Sequence, residues 1–412
     1  MTSRLGQGLA PFRAMLFAFH PSLLSSHPIE SFDPLTYVIA VGLLAAGFIP
    51  KGRSGLRNAP IERLPMKNTL PRLIAFWVLV LAIVLPASAQ TTHAFLWSAG
   101  TCMQDLGTLP GDARSEAWAI NASGMVAGES SDLLAKHPHA FRWTSAGGMQ
   151  DLGTLPNGSY SYAYGINTAG SVVGKSAISN VGSFPPTHAF LWTQTGGMQD
   201  LGTLPGTKGS VALAINDSDQ VVGVACSLCD TRFPTYHGFL WTAATGMQDI
   251  GTLGGRSATP VAINNAGQVV GYSNPDSSNL VHAFLWTAAG GMQDLGPTGT
   301  QVFSFATGIN ASGNLSAILN SGPERGASWT PKNGFHNIPP LGGVGSNWVA
   351  NGINDLNHVV GSSWTKGPGP WHAYLWTKAG GSQDLGASLG GMNSYGNAIN
   401  ASDQVVGSAD IN

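Results

Sequence analysis

Short apolar runs, each about five residues long and separated by Gly, Asn, Pro, Ser or Thr, follow one another along most of the 412-residue chain. Between Ala163 and Leu201 they read AYGIN, SVVGK, HAFLW and MQDLG. Runs this short, rich in Val, Ile, Phe, Trp and Leu and bounded by turn formers, predict strands. No stretch of about ten residues in this region carries the helical period.

The same set of four returns seven times. The Trp of HAFLW falls at Trp97, Trp143, Trp192, Trp241, Trp286, Trp329 and Trp376. Ile-Asn before a short turn falls at Asn121, Asn167, Asn216, Asn264, Asn310, Asn354 and Asn400. MQDLG or its relic marks Asp105, Asp151, Asp200, Asp249, Asp294, Asn337 and Asp384. One unit is degenerate, reading RGASW from Arg325 and FHNIP from Phe335.

Four strands in every 40–50 residues is the period of a propeller blade, whereas solenoid repeats are usually shorter and need distinct capping units. The array starts inside a unit, at HAFLW, and stops inside one, at VVGSADIN. The expectation is therefore an all-β, seven-bladed propeller of four-stranded antiparallel blades. With the AIN run innermost, the last blade takes two strands from each chain end and closes the ring. The turn after Ile-Asn places Gly124, Gly170, Gly267 and Gly313 where other units have Asp219, Asn357 and Asp403. All three residue types tolerate a left-handed backbone, which predicts that conformation there.

HAFLW, MQDLGTL and AIN-x-x-G-x-VVG resemble the motifs of the HAF repeat family of predicted extracellular bacterial repeat proteins. The resemblance covers roughly residues 93–408. It implies extracellular placement and a propeller-like fold, and it carries no established catalytic residues over to this chain.

The front of the chain differs. Residues 66–89 have a positive start (Lys67, Arg72), an apolar core from Leu73 to Leu85 and the small-residue site Ala87-Ser-Ala89. This is the pattern of a secretory signal peptide, too short to span a bilayer comfortably. Residues 1–65 precede it and share nothing with the repeats. Either they are a misassigned upstream extension and translation starts at Met66, or they form an additional leader. Residues 90–412 are the propeller. An exported, extracellular or periplasmic protein is expected, with no stable membrane span in the mature chain.

From residue 90 onward there are 11 Lys and Arg against 18 Asp and Glu, a net charge of −7. So sparse and acidic a surface has no basic stripe for phosphates and argues against nucleic acid. Cys226 and Cys229, separated by two residues in a chain expected to be exported, favour a local disulfide over free thiols or zinc. The recurrent His of HAFLW (His93, His139, His188, His237, His282, His372) reads as a hydrogen-bonding partner for the Asp of MQDLG on the adjacent strand, because equivalent positions around a disc cannot share a metal. The Asn of AIN reads as an Asx turn, since four residues supply too few oxygens for calcium. No metal and no cofactor are expected.

Function should lie where the units differ: the segments after VVG and before AIN, on one face. The latter are rich in aromatics, and Trp118, Tyr162, Tyr164, Phe305, Trp348 and Tyr395 are the candidate ligand-binding residues, with inter-blade packing as their alternative role. Asp112, Glu116, Glu129, Asp132, Asp230, Asp276 and Glu324 are the available acids, but no His, Tyr, Lys or Arg cluster from different blades announces itself in the sequence. The reading is a non-catalytic, monomeric binding module for a glycan or an extracellular protein. A polysaccharide-active hydrolase or lyase, or a structural surface protein, are the alternatives. N-terminal sequencing of the exported protein should find Gln90 first; a chain beginning near Met1 would refute both the signal peptide and the internal start.

Overall fold

The computed structural model describes residues 91–411 except 182–184, 228–234, 277–279, 297–302, 321–323, 344 and 368. The expected leader and signal segments, 1–65 and 66–89, and Cys229 lie outside the described residues. Within those described, twenty-eight strands (β1–β28 in chain order) form seven four-stranded antiparallel sheets. Blade 1 consists of β3 (Arg114–Ile120), β4 (Val126–Ser131), β5 (His139–Thr144) and β6 (Gly148–Asp151), paired in that order. Blades 2 to 6 follow the same pattern. Blade 7 joins β27 (Gly390–Ile399) and β28 (Val405–Ile411) to β1 (Thr91–Ser98) and β2 (Cys102–Asp105), so strands from both ends close the ring.

The AIN strand is innermost, as expected. β3, β7 (Ser161–Ile166), β11 (Gly209–Ile215), β15 (Ala258–Ile263), β19 (Phe303–Ile309), β23 (Trp348–Ile353) and β27 each touch the next, and β27 touches β3. Each also shifts register by one residue near its end, a bulge at Trp118, Tyr164, Leu213, Val261, Thr307, Asn351 or Asn397. A bulge of this kind bends the strand and re-aims a side chain.

Each repeated residue has a mechanical task. The Phe of HAFLW pairs with the Gly of VVG on the neighbouring strand and is fully buried in five blades: Phe95, Phe141, Phe190, Phe239 and Phe284. A Cβ added to Gly128 would lie 2.8 Å from the Phe141 ring, so ring and glycine require each other. In the degenerate blade both change together, to Ala317 opposite Ala327, and a methyl takes some of the space the ring gives up. The six HAF histidines do bond the MQDLG aspartates: Nδ1 donates to the carboxylate at 2.8–3.2 Å in every pair from His93–Asp105 to His372–Asp384. The same carboxylates accept the N–H of the glycine two residues on, at 2.7 Å for Gly107. That turn drives the intervening Leu (Leu106, Leu152, Leu201) into the core.

The Asx turns hold too. Oδ1 of Asn121 accepts from the N–H groups of Ser123 and Met125, and the predicted left-handed positions have positive φ, including Asp219 (55°), Asn357 (62°) and Asp403 (58°). The other side-chain atom does more than sequence suggests. Nδ2 of each Asn donates to the backbone carbonyl of its counterpart in the next blade, from Asn121 to Asn167 at 2.9 Å round to Asn400 and back to Asn121 at 3.1 Å.

Removing residues 396–412 takes away β28 and its buried Val405, Val406 and Ala409, and breaks the amide circle at Asn400. Each fully buried valine alone is worth about 1.5–3 kcal/mol. Calorimetry of the truncated chain should show loss of the cooperative transition and aggregation. A truncated chain that melts like the intact one would mean the ring does not depend on closure.

Candidate functional site

Register decides which segments share a face. Arg114 pairs with Ser131 and Ser130 with His139, so the start of the innermost strand, the end of the second and the start of the third lie together. The segments before AIN and after VVG therefore emerge on the same side of the disc.

Just inside that face, each blade places one cross-strand pair between its first and second strands. Five of these pairs are uncharged: Val211–Val224, Thr259–Tyr272, Phe305–Ile318, Val349–Ser362 and Tyr395–Ser408. The other two are Glu116–Glu129 in blade 1 and Tyr162–Lys175 in blade 2. Sevenfold regularity thus breaks at adjacent blades, and there it introduces charge. Only three glutamates occur beyond residue 90, and two of them face each other here.

The pair is held by residues from three blades. Glu129, 7% exposed, accepts a 2.6 Å hydrogen bond from the Trp118 indole N–H. Glu116 accepts from the Ser408 hydroxyl at 3.2 Å and from the Asn397 amide. Lys175 Nζ sits 4.5 Å from the centre of the Tyr162 ring and 6.0 Å from that of Tyr164, a cation–π arrangement. The two tyrosine rings stack at 6.1 Å, and Trp118 meets Tyr164 edge-on at 6.4 Å.

Burial dominates the protonation chemistry. It pushes Glu116 up to about 7 against the pull of the Ser408 and Asn397 hydrogen bonds. Burial and then the charge of Glu116 drive Glu129 well above the usual carboxylate range. Lys175 is lowered by burial to about 8, with Glu129 opposing the shift. Burial, then Glu129, also raises the Tyr164 phenol. Two carboxyls directly opposite on paired strands, with one ammonium nearby, each hold a proton more tightly than an ordinary carboxylate. Glu116, Trp118 and Lys175 each keep some solvent exposure.

The six aromatic candidates do not form a platform of free rings. Tyr162, Tyr164, Phe305 and Trp348 are buried; Trp118 and Tyr395 are partly exposed. Phe305 packs edge-on against Tyr272, Trp348 donates to the Gly326 carbonyl, and Tyr395 lies 6.4 Å from Trp371. Trp118, Tyr162 and Tyr164 adjoin the charged pairs, and Tyr395 lies near enough to Glu116 for that charge to act on its phenol. Lys175 is the residue that reading the motifs singly misses. Its signal lies in the column directly after VVG, which reads Glu129, Lys175, Val224, Tyr272, Ile318, Ser362 and Ser408 when the units are aligned.

Elsewhere, Cys226 is buried at the end of its strand and disulfide-bonded. Its expected partner, Cys229, is outside the described residues. Among the described residues no three His, Cys, Asp or Glu side chains gather to hold a metal ion. No described helix is long and apolar enough to cross a membrane.

Solved structures similar to this chain match it at low identity. The putative TolB from Agrobacterium tumefaciens is 12% identical, with 78% of this chain and 99% of that one covered and a TM-score of 0.44. Puromycin hydrolase is 12% identical at a TM-score of 0.50, covering 73% of this chain but about half, 51%, of the hydrolase. Virginiamycin B lyase from Staphylococcus aureus is 13% identical over 76% of this chain and 87% of that one, with a TM-score of 0.42. No family model and no curated protein matches the sequence.

A carboxyl raised on folding favours the folded state while protonated, so its contribution is complete below the unfolded value and lost as pH rises through the folded one. For Glu116 that window runs from about 4.5 to about 7, and Glu129 acts in the same direction. Stability from this site should fall by roughly 3 kcal/mol across the window. Urea unfolding of Glu116→Gln should show a flatter pH dependence than the parent; equal slopes would mean that Glu116 titrates normally.

Proposed function

We propose that the chain is an exported HAF-repeat propeller that binds an extracellular ligand, a glycan or a protein, at the centre of its variable-loop face and leaves it chemically unchanged. The observation that carries this reading is the confinement of charged cross-strand pairs to one sector, blades 1 and 2 with blade 7 beside them. The charged pairs belong to blades 1 and 2, and blade 7 supplies Ser408 and Asn397. Four of the five most exposed large apolar side chains among the described residues lie in the variable segments of the same blades: Leu133 (42%), Leu134 (69%), Val181 (77%) and Met392 (65%). Apolar side chains left in water, in the variable segments of the blades that carry a polar cluster, are the composition of a recognition surface.

The signal-peptide pattern and the HAF motifs support extracellular placement, and the net charge of −7 beyond residue 90 disfavours polyanionic partners. A second reading rests on the Glu116–Glu129 pair. Facing carboxyls with raised proton affinity are what a polysaccharide hydrolase uses, one as acid and one as base or nucleophile. Against it stand the internal contacts of Glu129, which Trp118 and Lys175 engage.

The test is a screen of the purified protein against arrayed glycans and secreted proteins. Each ligand found is then measured against the triple variant Leu134→Ser, Val181→Ser, Met392→Ser. These exposed side chains add little to folding, so the melting temperature should stay within a degree or two while affinity falls about tenfold. For contrast, Trp192→Ala should cost about 3–5 kcal/mol of stability. Unchanged affinity in the triple variant would move the binding surface elsewhere, and release of new reducing ends from an arrayed glycan would favour the hydrolase.

A further inference from the structure

We infer that the groove between blades 7 and 1, on the face opposite the variable loops, seats an arginine side chain of a partner protein. The inference stands apart from the ligand proposed above, which belongs to the other face.

The turns joining first to second strands and the hairpins joining third to fourth strands end on this opposite face. Where blade 7 meets blade 1 they leave a cavity of about 280 Å³. Blade 7 lines it with Leu96 and Gln104, which are cross-strand partners, and blade 1 with Trp143 and Ser145. The turns nearest the axis add Gln404 and Gly124.

The molecule fills the equivalent place once with a side chain of its own. Between blades 1 and 2 the counterpart of Leu96 is Arg142, in HAFRW instead of HAFLW. Its guanidinium carbon lies 4.8 Å from the centre of the Trp192 ring, and Trp192 is the counterpart of Trp143. Its Nη2 donates to Oε1 of Gln150 at 3.0 Å and to Oε1 of Gln194, the counterparts of Gln104 and Ser145. Nη1 lies over Gly170, 3.3 Å from where a Cβ would stand, and Gly170 is the counterpart of Gly124. Position for position, the surroundings of Arg142 are the lining of the open groove.

The acceptor beyond the tryptophan marks these two boundaries. The column two residues after that Trp reads Ala99, Ser145, Gln194, Ala243, Ala288, Pro331 and Lys378. Only Ser145 and Gln194 can accept a hydrogen bond there. Arg142 uses Gln194, whereas Ser145 and the Gln104 amide have no protein partner among the described residues. Leu96 is too short to serve them and is held in the core at 9% exposure.

The six lining residues carry no charge that would repel a cation. A guanidinium is flat enough to lie on an indole while its N–H groups reach acceptors at the rim, which a lysine ammonium cannot do as well. Arginine against tryptophan is also a pairing that concentrates energy at protein interfaces. The net charge of −7 beyond residue 90 attracts a basic partner and repels a second copy of this chain.

Nuclear magnetic resonance titration of the purified protein with a Gly-Arg-Gly peptide blocked at both ends tests this. The Gly124 and Ser145 amide signals and the Trp143 indole signal should shift together and saturate at one site per chain. Peptides with citrulline or lysine in place of arginine should bind at least about fivefold more weakly. Leu96→Arg copies into blade 7 what blade 1 already folds with, and it should abolish binding by filling the groove from within. Arg142→Leu should open a second groove, with new shifts at Gly170 and Gln194 and two sites per chain.

Equal binding of the citrulline peptide, or no saturable shift with the arginine peptide at millimolar concentration, would overturn the inference. So would parent-like binding by a folded Leu96→Arg variant. Should that variant fail to fold, a site count that stays at one in Arg142→Leu decides against the groove. A parent dimer that Leu96→Arg dissociates, seen by sedimentation, would overturn the separate partner in favour of a second copy. None of these results bears on the glycan and protein screen of the other face.

Discussion

A closed circle of seven side-chain amides fixes the geometry of this molecule. Each Asn of AIN turns its own chain with Oδ1 and ties the next blade with Nδ2, at 2.9–3.3 Å throughout. All seven side chains are buried, 3–6% exposed. A buried amide stripped of its partner costs about 1–3 kcal/mol, so every wedge between blades must open by nearly the same angle. Seven equal wedges close only as a ring, and the pairing of β1 with β28 closes the sheet at the same boundary where Asn400 reaches Asn121. The amide circle acts near the axis, and the His–Asp bonds and buried DLG leucines act farther out on the third and fourth strands.

The degenerate fifth blade shows the order of importance among these devices. It has Arg325 and Asn337 where other blades have the His–Asp pair, and Ala317 with Ala327 where they have Gly and an aromatic ring. It keeps Asn310, which donates to the Asn354 carbonyl at 3.0 Å, and Ile338, which is fully buried in the DLG leucine position. Contacts inside one blade can therefore be exchanged in compensating pairs. The contacts between blades cannot, because each belongs to a circle and its loss has no local remedy.

Fold was legible in the sequence because the seven copies report the same physics independently. Strand period, turn chemistry at Gly124 and Asp219, the His–Asp pairing and the shared last blade all follow from local patterns that the other copies confirm. What repetition hides is the exception. Trp118, Tyr162 and Tyr164 stood out as aromatics and Glu116 and Glu129 as available acids, but nothing joined them, and Lys175 looks like an ordinary polar residue at a strand end. Their proximity depends on register, since Glu116 faces Glu129 only through a thirteen-residue excursion of the chain, and on the angle between blades 1 and 2. The partly or fully buried state of the six aromatic candidates was equally out of reach, because period alone does not say which side of an innermost strand meets the next blade.

Placing two carboxyls and an ammonium among aliphatic and aromatic neighbours is unfavourable in itself, and the other five blades avoid it with uncharged pairs such as Val211–Val224 and Phe305–Ile318. The ring tolerates the exception because its strength is distributed over many repeated contacts, none of which passes through Glu116 or Lys175. The boundary between blades 7 and 1 shows how. There Asn400 binds the Asn121 carbonyl and Asn397 binds the Ala117 carbonyl at 2.9 Å, while Ser408 and Asn397 also satisfy Glu116. Backbone ties hold the blades in place whatever the protonation of the carboxyl beside them. The shape of the ring, though not its stability, is thus separated from the charge state of its centre, and that separation lets one sector change its chemistry without changing the geometry.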